Sequence, residues 1–234
     1  MTSTSDVTGI VLAGGKGSRI GRNKALIRLG GELLIERTLA RLGSVTENVL
    51  VVVSGPSDAE RLRFLEQQGV ELTMDALPCG GPLAGIHAGL VAARTEKSIV
   101  IGCDMPFLEG CLLAYLAEIS RDADAVVPRI ASRGFVEPLC AAYSKGCIGV
   151  IERLASSGCA RIAPLFDEVR VKYVDEEVWR KLDPEGLSFF NVNTPSDLAR
   201  ASKIIGGLPD GRSARGNIGM PFDKIRTGRA NGGD

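Results

Sequence analysis

From Gly9 to Lys24 the chain passes from a short apolar run, Ile10 to Leu12, straight into a loop dense in glycine and positive charge. The run reads as a buried strand of a parallel sheet. Gly14, Gly15, Gly17 and Gly21 alternate with Lys16, Arg19, Arg22 and Lys24 over the next eleven residues. Glycine permits close backbone approach and positive φ, so successive N–H groups can converge on one anion. Arg19 adds a planar fork for phosphate and Lys24 a point charge. The stretch therefore predicts a strand followed by a triphosphate-binding loop, against the blander reading of a charged surface loop.

Two familiar phosphate motifs are excluded by spacing. A P-loop needs Ser or Thr after Gly-Lys, but Gly17 follows Gly15-Lys16. A dinucleotide fingerprint needs its third glycine where Ile20 stands, and Gly21 comes one residue late.

With 234 residues the chain suits one α/β domain plus a tail. Zero formal net charge gives no reason to expect nucleic acid or an anionic membrane as partner. The start, Met1 to Asp6, lacks the basic and apolar segments of a signal peptide, and no apolar run reaches membrane-spanning length, so a cytoplasmic protein is expected. Six cysteines show no C-x-x-C spacing and His87 is the one histidine, which argues against a zinc site and against histidine-based nucleophilic catalysis. Most of the cysteines read as reduced core residues, and His87 as a helix-surface or packing residue in preference to a base.

Along the chain, Ala25 to Leu29 reads as strand-like, Gly30-Gly31 as a turn and Leu33 to Leu42 as an amphipathic helix. Val49 to Val53 predicts a second strand, Ala59 to Gln68 a helix and Val70 to Met74 a third strand ending at Asp75. Gly80, Gly81 and Pro82 turn into a helix whose Ala84, Gly85, Ala88 and Gly89 allow close backbone packing. Ser98 to Gly102 is a fourth strand, and Asp104 after it suits a Mg²⁺ ion or, alternatively, the cap of a helix starting near Pro106. Asp124 to Pro128 predicts a fifth strand, Glu137 to Tyr143 a strand entering the helix 144–157, and 160–190 a lobe over the substrate. Thr194 and Pro195 predict the start of a helix running to about Ile205. Asn191 and Asn193 alternate with Phe190 and Val192, so both amides share one face, turned to the site or to local backbone.

Alternation of this kind predicts a Rossmann-like, three-layer α/β/α fold with a mostly parallel sheet over residues 1–205. Ligands of such sheets sit beyond the carboxyl ends of the strands, which gathers the first loop, Ser54, Asp75 and Asp104 on one rim. Residues 206–234, rich in Gly and Arg, read as a flexible tail.

Taken together the motifs resemble the molybdenum-cofactor guanylyltransferases, which join GMP from GTP to molybdopterin. The resemblance rests on Leu12 to Gly15 with Ser18 to Gly21 and Lys24, on Gly81 to Ile86, on Cys103 to Phe107, on Glu137-Pro138-Leu139, and on Asn191 to Pro195. It covers roughly residues 7–200 and implies a nucleotidyltransferase dependent on Mg²⁺. It further implies that Leu12, Ala13 and Gly14 meet the guanine nucleotide, that Gly15 and the loop amides meet its phosphates, and that Arg19 and Lys24 hold the triphosphate. Asp75 would serve the nucleoside end, Asp104 the metal, and Asn191 and Asn193 the molybdopterin side. Contacts with other cofactor-pathway proteins are implied as well. Ile20 departs from the usual Met, and Ser54 stands where some members carry Asn. Relatives that use CTP tend to carry Leu-Ala-Ala-Gly in place of Leu12 to Gly15. A cytidylyl- or sugar-phosphate nucleotidyltransferase, and a non-catalytic nucleotide-binding subunit, are the competing readings; retention of Lys24 and Asp104 weighs against the latter.

Overall fold

The structure is a computed structural model that describes residues 6–14 and 23–207. Strand β1 (Val7–Leu12) leads to a 3₁₀ turn (Lys24–Leu26) and a two-stranded ribbon, β2 (Arg28–Leu29) and β3 (Glu32–Leu33). Helix α1 (Leu34–Gly43), β4 (Asn48–Val53), α2 (Pro56–Leu62), β5 (Glu71–Met74), α3 (Gly81–Ala92), β6 (Lys97–Gly102) and α4 (Gly110–Ile119) follow in alternation. The second half runs β7 (Ala125–Ile130), β8 (Phe135–Val136), β9 (Cys140–Ser144), α5 (Ile148–Ser156), β10 (Val171–Val174), α6 (Glu176–Trp179) and α7 (Pro195–Gly207).

The main sheet has the order β10-β7-β9-β6-β1-β4-β5, with β8 paired to β7. Strands β6, β1, β4 and β5 pair in parallel, as do β7 and β10. Strand β9 runs antiparallel between β6 and β7. It follows β7 after a short excursion through β8, too short for the crossover that a parallel partner needs.

Alternate residues of the central strands divide the core between the two faces, as strands buried on both sides require. Val11, Val51, Val53, Ile99 and Ile101 pack with Ile35 and Leu39 of α1 and Leu112 and Leu116 of α4. Ile10, Leu12, Leu50, Val52 and Val100 pack on the other side with Leu83, Ile86 and Leu90 of α3 and Ile151 of α5. This is the three-layer α/β/α arrangement expected. A smaller cluster of Ile27, Leu29, Leu34, Phe107, Val192 and Ala201 seats α7 against the ribbon.

Several local expectations are corrected. Ala25 to Leu29 is a 3₁₀ turn plus two ribbon residues, because Asn23 caps the turn through Ala25 N–H at 3.0 Å. Ala59 to Gln68 divides between α2, which starts earlier at Pro56, and a 3₁₀ segment, Arg63–Gln68. No helix starts near Pro106: α4 begins at Gly110, so Asp104 caps nothing. Residues 160–190 form no lobe over the cleft. They supply edge strand β10 and send Trp179 and Phe189 into the core, with the Trp179 indole donating to the Arg129 carbonyl at 2.9 Å. Residues 208–234, most of the expected tail, lie outside the described residues.

Helix α3 lies close on β1 because Gly85 and Gly89 face it. A Cβ at Gly89 would come within 2.6 Å of Ile10 Cγ2, and Ile10 is fully buried. Gly89→Ala gains about 1 kcal/mol of helix propensity, while overpacking a closed core costs typically 1–3 kcal/mol. The net expectation is a protein less stable by about 1 kcal/mol, read as a lower urea midpoint with an unchanged slope.

Candidate active site

The carboxyl ends of β1, β4, β5 and β6 open onto a cleft of about 890 Å³, within the usual range for small-molecule sites. Leu12, Ala13, Gly14, Ser54, Asp75 and Asp104 all line it, so the rim predicted from the strand order is present. Hydrogen bonds fix these ends against one another: Ala13 N–H to Val52 C=O (2.8 Å), Asp75 N–H to Val53 C=O (3.0 Å) and Cys103 N–H to Leu12 C=O (3.1 Å). Gly14 is required by space. A Cβ there would lie 1.9 Å from Ser54 Oγ and 2.6 Å from its amide nitrogen. On the opposite wall Gly80 and Gly81, both at positive φ, bring the N-terminus of α3 to the cleft, where its free N–H groups face a prospective anion.

Lys24 is aimed by its neighbour. Asn23 accepts from Ala25 N–H and donates its own amide to Asp58 Oδ1 on α2 at 2.8 Å, clamping the end of the loop. From there the Lys24 ammonium crosses the cleft to Asp104 Oδ2 at 2.8 Å and also donates to Asn193 Oδ1. The Lys24 and Asp104 side chains are 24% and 19% exposed, so salt screens the pair less than an open surface pair. Asp104 is held in turn by its backbone carbonyl, which accepts the Val192 N–H at 2.8 Å.

The two asparagines face the same neighbourhood by different partners. Asn193 meets Lys24, and its own N–H donates to Asp197 Oδ2 at 3.1 Å. Asn191 hydrogen-bonds the carboxylate of Glu137, a buried residue whose Oε1 also accepts the Leu139 N–H at 3.1 Å. Burial is the main reason the Glu137 carboxyl lies above its ordinary range, with Asp104 adding to it and the Leu139 and Asn191 bonds opposing it. Gly15 and Arg19, expected on the triphosphate, lie outside the described residues.

Sequence reasoning missed Asn23 and Asp58, and gave no role to Glu137 although its motif is part of the resemblance. An Asn one residue before a 3₁₀ turn is a capping signal that was available. Nothing local points from Asn23 to Asp58, or marks Glu137 as buried. His87 lies off the cleft, with Nε2 3.1 Å from Glu152 Oε1 on α5, in the packing role expected. All six cysteines are free; Cys103, Cys140 and Cys147 are buried, and burial pushes the Cys147 thiol up to about 11. Among the described residues no three His, Cys, Asp or Glu side chains cluster to hold a metal.

A cleft walled by glycine backbone and carrying a lysine–aspartate pair, with Asn193 bonded to the lysine, suits a polyphosphate. The MobA-like NTP transferase domain matches residues 9–189. The chain belongs to that family. A probable molybdenum cofactor guanylyltransferase of Pelotomaculum thermopropionicum is 40% identical over 205 residues, covering 88% of this chain and 96% of the relative. A molybdenum cofactor guanylyltransferase of Desulfosudis oleivorans is 37% identical over 201 residues, covering 85% and 96%. Among solved structures, molybdopterin-guanine dinucleotide biosynthesis protein A of Archaeoglobus fulgidus superposes with a TM-score of 0.76 at 32% identity, covering 86% of this chain and all of that one. Membership makes the chain a nucleotidyltransferase.

The domain model ends at residue 189, before the Asn191 to Asp197 segment, whereas the alignment to the Pelotomaculum relative, over 205 residues, takes that segment in. Thr194 Oγ1 accepts Asp197 N–H at 3.1 Å while Asp197 Oδ2 accepts Thr194 N–H at 2.9 Å, a reciprocal cap that starts α7 and carries Asn193. The Thr194 hydroxyl, with the Asn193 and Thr194 amides, holds the Asp197 carboxyl below its ordinary 3.8. A depressed carboxyl contributes stability above the unfolded value and loses it as pH falls through the folded one. Asp197→Asn should therefore lower stability by about 1 kcal/mol at pH 7, and urea midpoints of variant and parent should converge as pH drops below 4.

Proposed function

We propose that this chain transfers GMP from GTP to molybdopterin and releases pyrophosphate. The carrying observation is the Lys24–Asp104 pair at the strand-end rim, 2.8 Å apart in a glycine-walled cleft, within a chain 40% identical to a molybdenum cofactor guanylyltransferase. The nucleotidyltransferase domain is assigned to residues 1–205, with 206–234 as an appended tail. A reaction that draws on GTP is assigned to the cytoplasm, and no helix among the described residues is long and apolar enough to cross a membrane.

In this reading Leu12, Ala13 and Gly14 take the guanine nucleotide, Gly15 and the loop amides its phosphates, and Asp75 the nucleoside. Asn191 and Asn193 take the molybdopterin side, and handing on the product engages other proteins of the cofactor pathway. The attacking group is a terminal phosphate oxygen of the acceptor. It is already anionic, so no general base is needed, and His87 is not among the residues lining the cleft. The new bond forms from that oxygen to the α-phosphorus as the α–β phosphoanhydride P–O bond breaks, and pyrophosphate leaves with the electron pair. Lys24 and Arg19 hold the triphosphate and offset charge as it moves toward the leaving oxygen. Catalysis is then alignment plus charge stabilisation.

The residues fit a Mg²⁺ ion. Mg²⁺ favours one or two carboxylates with phosphate oxygens and waters over an all-protein cage. Asp104 supplies a carboxylate in the cleft, and Gly102 leaves its Oδ1 side open, where a Cβ would sit 2.8 Å away. Asp104 would hold the ion, which supplies further neutralisation of phosphate charge.

Gly14 favours GTP over CTP, since relatives that use CTP tend to carry alanine there. An alanine at that position would strike Ser54, so the backbone here is shaped for glycine at 14. In a thermal-shift panel GTP should raise the melting temperature more than CTP, ATP or UTP, and more with Mg²⁺ present; a larger shift with CTP moves the reading to a cytidylyltransferase. Asp104→Ala should abolish pyrophosphate release with the circular dichroism spectrum unchanged. Lys24→Ala should lower kcat/KM on the order of 10²–10³, the scale for one charge-stabilising donor; parental turnover in either variant removes that residue from the mechanism.

A further inference from the structure

Glu137 is costly where it stands. Its residue is 7% exposed, no cation among the described residues lies in hydrogen-bond contact with its carboxylate, and the like charge of Asp104 outweighs the attraction of Arg133. Burying a carboxylate without an ion partner works against stability. Its hydrogen bonds run instead to the two segments that grip Asp104. On one side Oε1 accepts Leu139 N–H, and Leu139 C=O accepts Gly102 N–H at 2.9 Å, two residues before Asp104. On the other side the carboxylate meets the Asn191 amide, and the next residue, Val192, donates its N–H to the Asp104 carbonyl. Asn193, one further on, holds Lys24. One side chain thus cross-links the 137–139 turn to the 191–193 strap, and the backbone of residues 102–104 is hydrogen-bonded to both.

We propose that Glu137 is a positioning residue that sets the Asp104 carboxylate, and through Asn193 the Lys24 ammonium, for the phosphates. The inference rests on the reading of Asp104 and Lys24 given above. The tie works by hydrogen bonding and not by net charge. A glutamine in the same place can accept Leu139 N–H through Oε1 and donate to a turned Asn191 amide, keeping the cross-link. Alanine cuts it.

Groups that orient a metal-holding carboxylate typically matter 10–100-fold in metal affinity or rate. The test is Mn²⁺ binding, followed by electron paramagnetic resonance, to the protein saturated with a non-hydrolysable GTP analogue, alongside steady-state kinetics. Glu137→Ala should weaken Mn²⁺ binding and lower kcat by about 10-fold or more, with a urea midpoint no lower. Glu137→Gln should restore both Mn²⁺ affinity and kcat to within about threefold. Parental Mn²⁺ affinity in Glu137→Ala, or a loss that glutamine fails to restore, overturns the inference; so does a fall in urea midpoint with kcat unchanged, which marks a purely structural residue. Should the alanine variant fail to fold, Asn191→Ala cuts the same tie from its other end and must reproduce the loss of Mn²⁺ affinity. The Mn²⁺ titration reads the role of Glu137 by itself, whereas failure of the parent to release pyrophosphate from GTP with molybdopterin overturns the proposed reaction.

Discussion

The Lys24 ammonium joins three parts of the chain that lie far apart in sequence. It leaves the end of the glycine loop after β1, reaches Asp104 at the end of β6, and touches Asn193 ahead of α7. Each of the three is anchored behind the contact: Lys24 by the Asn23–Asp58 clamp, Asp104 by the Val192 amide, Asn193 by Asp197. A polar junction of this kind specifies geometry more than it adds stability. Ion pairs part-way into solvent contribute little net free energy, and the folding energy comes from the two apolar layers beneath.

Those layers decide where the junction can form. With β1 parallel to both β4 and β6, the ends of three strands reach one rim, and their loops open on the same side. Gly85 and Gly89 draw α3 down onto β1, so its N-terminus comes to the cleft, and Gly14 lets the loop pass Ser54. Glycine at these positions is a spacing device: the sites are crowded, and a methyl group would collide.

Much of this is written locally in the sequence. Apolar runs of five or six residues separated by amphipathic helices are enough to predict a mostly parallel sheet with both faces covered, and an aspartate directly after such a run is enough to place Asp104 on the rim. Thr194-Pro195 marks the start of α7 because capping is a short-range interaction. What was not legible is pairing at a distance. Asn23 with Asp58, and Glu137 with Asn191, connect elements whose sequences carry no mutual pattern. The strand β10 was read as part of a covering lobe because Val171 to Val174 is short and only partly apolar; its place is set by backbone pairing with β7, which composition does not encode. The antiparallel β9 likewise follows from connection length and not from residue type.

The arrangement also limits the chemistry that the cleft can perform. An acceptor hydroxyl must lose a proton during transfer, and the groups that usually take it are imidazoles or carboxylates poised near neutrality. Here the one histidine is committed to Glu152 between α3 and α5, Asp104 is bonded to an ammonium, Asp58 to the Asn23 amide, Glu137 is enclosed by amides, and Asp75 is assigned to the nucleoside. An acceptor that brings its own anionic phosphate oxygen removes the requirement. What remains is to hold two polyanions in line and to offset charge on the leaving pyrophosphate, and the proposed reaction gives that work to the lysine, the glycine-loop amides and a carboxylate whose backbone is tied to the 191–193 strap.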